Sequence, residues 1–240
     1  LSMTYNGANG ETKNAMQKSL HLQGIDIATI NQESRGLLDS LKNPDSKVEL
    51  KIANSVWAKK DMNFVQSFIS TVKDVYSAEV STLDFISPEA TKTINSWVSK
   101  NTGGKITKIV DQIPTDMVMY LINAVYFKGS WTQAFDKAKT TTKPFTTTSN
   151  GTKQVQMMSR SDDLPYFENA DFQSVKLSYG NSGRINMYVF LPKEAKNIST
   201  FVSSLTPDKW NSWMNSYSKK PGDISLPKFK VEYEKQLSSV

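Results

Sequence analysis

The run Met117-Val118-Met119-Tyr120-Leu121-Ile122-Asn123-Ala124-Val125-Tyr126-Phe127, followed by Lys128-Gly129-Ser130-Trp131, decides how the rest of the chain is read. It is apolar on both parities: Met117, Met119, Leu121, Val125 and Phe127 share one face, and Val118, Ile122, Ala124 and Tyr126 share the other. A strand with two apolar faces belongs in the middle of a sheet covered on both sides. The run falls well short of the roughly 20 residues that a membrane-spanning helix needs. Asn123 is its one polar interruption. A buried amide without partners costs on the order of 1–3 kcal/mol, so Asn123 is expected to be hydrogen-bonded, bridging neighbouring strands.

On either side of this strand, other elements can be read from period and punctuation. Val48, Leu50, Ile52, Asn54, Val56 and Ala58 recur with a strand's period. Phe64, Val65, Phe68, Ile69, Val72, Val75 and Tyr76 recur at helical spacing and predict an apolar stripe. Ser87-Pro88-Glu89 is a helix start: serine caps free amides, proline suits the first turn, and an early carboxylate complements the helix dipole. That helix carries Ile94, Trp97 and Val98 and should stop at Asn101-Thr102-Gly103-Gly104. Near the start, Gly7-Ala8-Asn9-Gly10 reads as a turn between two helices. Ile185 to Pro192 alternates as a strand, and Thr206-Pro207-Asp208 opens a helix bearing Trp210, Trp213 and Met214. Ile224 and Leu226 are apolar on even positions, whereas Phe229, Val231 and Tyr233 are apolar on odd ones. The parity changes at Pro227, which predicts a bulge or a strand passing between sheets.

With 240 residues, 38% of them hydrophobic, the chain can bury a sizeable core. No repeat or composition break divides it, and helices and strands interleave without a steady βαβ rhythm, so the expectation is one mixed α+β domain over residues 1–240. The chain opens at Leu1 without a leader and stops inside Glu234-Lys235-Gln236-Leu237-Ser238-Ser239-Val240, which reads as an unfinished helix. A piece of a longer protein, incomplete at both ends, is expected.

Several chemistries are excluded. Cysteine is absent, which removes disulfides, thiol nucleophiles and thiolate metal sites. His21 is the only histidine, and its place at the apparent end of a helix suits capping or packing better than catalysis. There is no phosphate loop, nucleophile elbow, zincin motif or calcium-loop spacing, and nothing calls for a cofactor. Asp162-Asp163 reads as a solvated acidic pair in a polar loop. Asn150-Gly151-Thr152 and Asn197-Ile198-Ser199 fit the glycan acceptor pattern. The net charge of +6 admits a polyanion partner. Its lysines are spread, with loose groups at Lys137, Lys139 and Lys143 and at Lys219, Lys220, Lys228 and Lys230, and Arg35, Arg160 and Arg184 are the only arginines. A solvated surface is the simpler reading.

Asn123-Ala124-Val125-Tyr126-Phe127-Lys128-Gly129-Ser130-Trp131, with Phe135-Asp136, Thr140, Phe145, Gly151, Val155 and Met157-Met158 after it, closely resembles the long central motif of serpins. Further agreement comes from Leu1, Met3, Gly7-Ala8, Gly10, Thr12 and Met16, then from Asn95, Trp97-Val98, Thr102 and Gly104-Lys105-Ile106. Leu226-Pro227-Lys228-Phe229-Lys230, Glu232-Tyr233 and Leu237 complete it. Ala134 departs from the proline often found before the Phe-Asp pair. The resemblance implies a serpin fold of mixed multi-stranded sheets with surrounding helices. In it Val48–Lys59, Asp116–Phe127 and Phe229–Tyr233 would be strands of a large sheet, crossed by the helix Ser87–Lys100.

The resemblance further implies a suicide-substrate inhibitor of serine proteases, not an enzyme, in which a cleaved reactive loop inserts beside the Met117–Phe127 strand. Asn123 matches a position where the sheet parts, and Trp131 and Lys228 match the region where the loop enters. The scissile loop, the hinge and the remaining strands would follow Val240, so the missing C-terminal part of the same chain is an expected partner beside the protease. Extracellular action is the family's habit, with no membrane anchor implied. A non-inhibitory serpin acting as carrier, storage protein or chaperone is the competing reading.

Overall fold

The computed structural model describes residues 1–147, 151–193, 197–231, 233 and 235. Short helices α1 (Ser2–Tyr5) and α2 (Gly10–Ser19) lead to α3 (Ile27–Leu41) and strand β1 (Val48–Lys59). Helix α4 (Gln66–Asp74), strand β2 (Glu79–Leu83), helix α5 (Pro88–Asn101) and strand β3 (Met119–Gly129) follow. Strands β4 (Thr141–Thr146), β5 (Thr152–Glu168), β6 (Phe172–Tyr179) and β7 (Ile185–Pro192) come next. Helices α6 (Ile198–Ser203) and α7 (Pro207–Met214) and strand β8 (Ser218–Pro227) complete the order. Helices with mixed and antiparallel sheets make this the expected α+β class. The residues group into two compact units, Leu1–Pro44 with Glu49–Lys128, and Asp45–Val48 with the described residues from Gly129 onward.

In the first unit the sheet runs β2-β1-β3. β1 and β2 are parallel, in register from Ser55 opposite Glu79 to Lys59 opposite Leu83. Lys59 N–H donates to Val118 O at 2.9 Å, and Asn54 meets Asn123 further along, so β3 runs antiparallel to β1. One face packs on α5: Trp57, Ile122 and Ala124 join Ala90, Ile94, Trp97 and Val98 in one buried cluster, with Trp57 edge-on to Trp97 at 5.9 Å. On the other, Val56 meets Met3, Val72, Tyr76 and Ala78. Each fully buried aliphatic or aromatic side chain contributes roughly 1.5–3 kcal/mol, so both faces favour the same register.

The caps follow the punctuation. Ser87 Oγ accepts from Glu89 N–H at 3.3 Å, and Pro88 stands in the first turn of α5. His21 closes α2. It takes a left-handed φ of 53°, donates its N–H to Lys18 O, and leaves Leu22 N–H to reach Gln17 O, a Schellman closure.

β3 differs from expectation in three respects. It begins at Met119 and continues to Gly129, two residues beyond Phe127. It is an edge strand among the described residues, and Val125 and Phe127 are 53% and 41% exposed. Asn123 is exposed instead of buried, although it is hydrogen-bonded as expected. The reason is local: on the face that Asn123 shares with Met119 and Leu121 the second cluster reaches only to Leu121, and no described strand lies on the outer side of β3. Likewise, Phe229, Val231 and Tyr233 are not in a strand and stand 61%, 75% and 81% exposed. β8 ends at Pro227; Lys228 N–H still reaches Gln156 O of β5, but no described strand lies beside Phe229, Val231 and Tyr233. Val65 was expected in the stripe of α4 but precedes that helix, 70% exposed.

In the second unit the order is β4-β5-β6-β7, with β8 also paired to β5. Leu164, Leu177, Ile224 and Leu226 form its core cluster. Phe201 of α6 and Trp213 of α7 close over Phe172 and Phe190, with Phe172 and Trp213 rings 4.7 Å apart. Asp162 and Asp163 lie within β5, opposite Gly222 and Pro221, and not in a loop. The helix expected over Glu234–Val240 lies outside the described residues apart from Lys235, as do Glu232 and Asn150 of the acceptor triplet. Asn197, of the other triplet, caps α6 by accepting from Ser199 N–H at 2.7 Å.

Candidate functional site

Asn123 begins a chain of amides in the first unit. Its Nδ2 donates to Asn54 Oδ1 at 2.9 Å, and Asn54 Nδ2 donates to Tyr76 O at 2.9 Å. Asn54 is 8% exposed, so its amide depends on these protein partners. The Tyr76 hydroxyl donates in turn to Asn31 Oδ1 at 2.9 Å, and Asn31 and Asn6 exchange side-chain hydrogen bonds at 2.8 Å. Burial pushes the Tyr76 phenol above its ordinary pKa, keeping it a neutral donor. The open strand β3 is thus tied through β1 to α1 and α3 by neutral polar groups, whose individual hydrogen bonds contribute about 1 kcal/mol each.

Trp131 and Lys228 fall in the second unit. Trp131 stacks on Tyr179, with centroids 4.2 Å apart and planes at 16°, and meets Phe135 edge-on at 6.2 Å. The Arg160 guanidinium sits over Phe135 at 5.0 Å, donates to Gln133 O, and lies 3.8 Å from Asp162. Trp131 packs on the cluster containing Leu226, two residues before Lys228. Lys228 itself is exposed and fastened to β5 by its N–H to Gln156 O at 2.8 Å.

The segment carrying Trp131 is held at its back by Asp45. That carboxylate accepts from Lys47, Asn181 and Ser182 N–H groups at 2.8, 2.8 and 2.7 Å, and these bonds hold its pKa at about 2. Gly180 donates its N–H to Ser130 O and has a φ of +68°, and a Cβ there would run into the Asp45 carboxylate. Only glycine fits this turn.

No triad can be assembled from these groups, and among the described residues no three His, Asp or Glu side chains could share a metal ion. In the first unit β3 lies at the sheet edge among the described residues, with an amide tie to β1; in the second, Trp131 is stacked on Tyr179 and the turn at Gly180 is clamped by Asp45.

The family model described as serpin (serine protease inhibitor) matches residues 1–240. The chain belongs to the serpin family. It is 33% identical over its whole length to an uncharacterized serpin-like protein of Thermococcus kodakarensis, of which it covers 56%. It is 32% identical to a leukocyte elastase inhibitor of Xenopus laevis, of which it covers 66%. The thermophilic serpin tengpin in its native state superposes with a TM-score of 0.87 at 31% identity, over 97% of this chain and 59% of that one. Emu ovalbumin gives 0.92 at 25% identity, over 99% of this chain and 66% of that one. The serpin fold is therefore present, and the chain spans 56% to 66% of the length of these two curated relatives. Among the described residues, no helix is long and apolar enough to cross a membrane.

Sequence reasoning named Asn123, Trp131 and Lys228 and missed Asn54, Tyr76, Asp45 and Tyr179. Asn54 left a signal: like Asn123, it interrupts an apolar strand face, and two lone amides on facing strands invite pairing. Asp45 follows Asn43-Pro44, a turn marker, but its partners lie far along the chain at Asn181 and Ser182, which no local pattern reveals.

Proposed function

We propose that the full-length protein is a single-use inhibitor of serine proteases, working by insertion of its own cleaved reactive loop beside β3. The observation that carries this reading is the serpin family match over residues 1–240; among the described residues β3 lies at the edge of its sheet, with Val125 and Phe127 exposed, beside β1. A strand added there would gain a ladder of backbone hydrogen bonds and cover those side chains. The protease serine attacks the scissile carbonyl, the C–N bond breaks with the downstream segment leaving as a free amine, and the upstream segment is left as an ester on the serine. Insertion then draws the acylated protease away from the loop's starting position, and the distorted enzyme no longer hydrolyses the ester. The inhibitor contributes no catalytic group, only stored conformational free energy.

On this reading Asn123 lies where the sheet yields, and Trp131 and Lys228 belong to the loop's entry region. The inserting strand comes from a further part of the same polypeptide. Family habit favours action outside the cell. The test is to incubate the full-length protein with a panel of serine proteases and resolve the products in SDS. A protease complex that survives SDS supports the mechanism; turnover as an ordinary substrate, with no complex, would sink it.

A further inference from the structure

Between Asp136 and Asp162 the sequence contains no carboxylate, while it carries Lys137, Lys139, Lys143, Lys153 and Arg160. The β4-β5 hairpin places Lys143 and Lys153 on one side. Phe145 stands opposite Lys153 and Lys143 opposite Val155, and directly opposed residues of an antiparallel pair share a face. One face therefore bears Lys143, Phe145, Lys153 and Val155, and the other is uncharged, with Gln156 donating to Thr142 Oγ1 at 2.8 Å. Lys137 and Lys139 lie in the 3-10 turn that feeds β4. All these lysines are exposed, and none has an ion-pair partner among the described residues; Phe145 is 41% exposed.

We infer that this face binds an acidic, partly apolar segment of a protein partner. An edge strand is often guarded by lysine and proline, which accounts for Lys143 and Pro144 but not for Lys137, Lys139 and Lys153. An apolar centre of Phe145 and Val155 within a cationic rim has the anatomy of a protein interface. A sulfated glycan offers little apolar surface for Phe145. Nucleic acid recognition favours arginine forks, and the local guanidinium, Arg160, is already engaged by Gln133, Phe135 and Asp162. The inference stands on the hairpin alone and is independent of loop insertion.

The test uses the full-length protein and a fluorescent peptide alternating glutamate with leucine, followed by polarisation across a salt series, with heparin and oligothymidylate as competing probes. The peptide should bind, and Lys143→Glu with Lys153→Glu should weaken it about tenfold or more and flatten the salt dependence. Phe145→Ser should weaken it about fivefold and leave the salt dependence intact. Matched reversals at Lys18 and Lys73, exposed on α2 and α4, should change little. No binding of the peptide, tighter binding of heparin or oligothymidylate than of the peptide, or equal weakening by the Lys18 and Lys73 reversals would each overturn the inference.

Discussion

Removing the Asn123 amide tests the tie beneath the open strand. In Asn123→Ala the Nδ2 donor at 2.9 Å from Asn54 Oδ1 is gone, and a carbonyl oxygen on a residue only 8% exposed loses its partner. A buried polar group left unpaired costs about 1–3 kcal/mol. Because Asn123 itself is exposed, water can reach part of the vacated space, so the expected loss is near the lower end, about 1 kcal/mol. Asn54→Ala also removes the bond to Tyr76 O at 2.9 Å, from a more buried position, and should cost about 2–3 kcal/mol. In the double variant the Asn54–Asn123 bond is lost only once, so the cycle should show a coupling of about 1 kcal/mol. Urea unfolding of the full-length protein, followed by far-UV circular dichroism, measures all four corners. Strict additivity, with a coupling under about 0.3 kcal/mol, would mean that the amides do not act together.

Two further outcomes concern the clamped turn. Gly180→Ala places a Cβ at a φ of +68° against the Asp45 carboxylate, and should cost more than the roughly 1–2 kcal/mol of the left-handed conformation alone; a thermal melt that does not move would refute the clash. Asp45 has a folded pKa of about 2, below the ordinary carboxylate value, so its contribution is complete above about pH 4 and fades as pH falls through 2. The melting temperature of the native protein should therefore fall more steeply than that of Asp45→Asn over that window, and parallel curves would count against the clamp.

Local signals carried far along this chain where a period or a cap was strong. The limits of β1, the Ser87 cap of α5, the glycine pair that ends it and the Thr206 cap of α7 follow from periodicity and end chemistry, which act over a few residues. β4, most of β5 and β6 escaped because their patterns are blurred. β4 is exposed at every position, and β5 changes partners along its length from β4 to β8 to β6, so no single alternation holds. β3 was recognised as a strand, but which strands lie beside it, β1 alone among the described residues, is a property of topology and not of residue pattern. Asn123 followed the same division. The need for a partner was legible, whereas the identity of Asn54 and the exposure of Asn123 required the structure.

On the proposed mechanism a strand joins the sheet beside β3. Hydrogen exchange over Met119–Gly129 in the full-length protein, before and after reaction with a serine protease, addresses it most directly. Insertion predicts that the amides of this strand exchange far more slowly afterwards, together with a rise in melting temperature. Unchanged exchange across Met119–Gly129 in protein whose loop has been cut would contradict it.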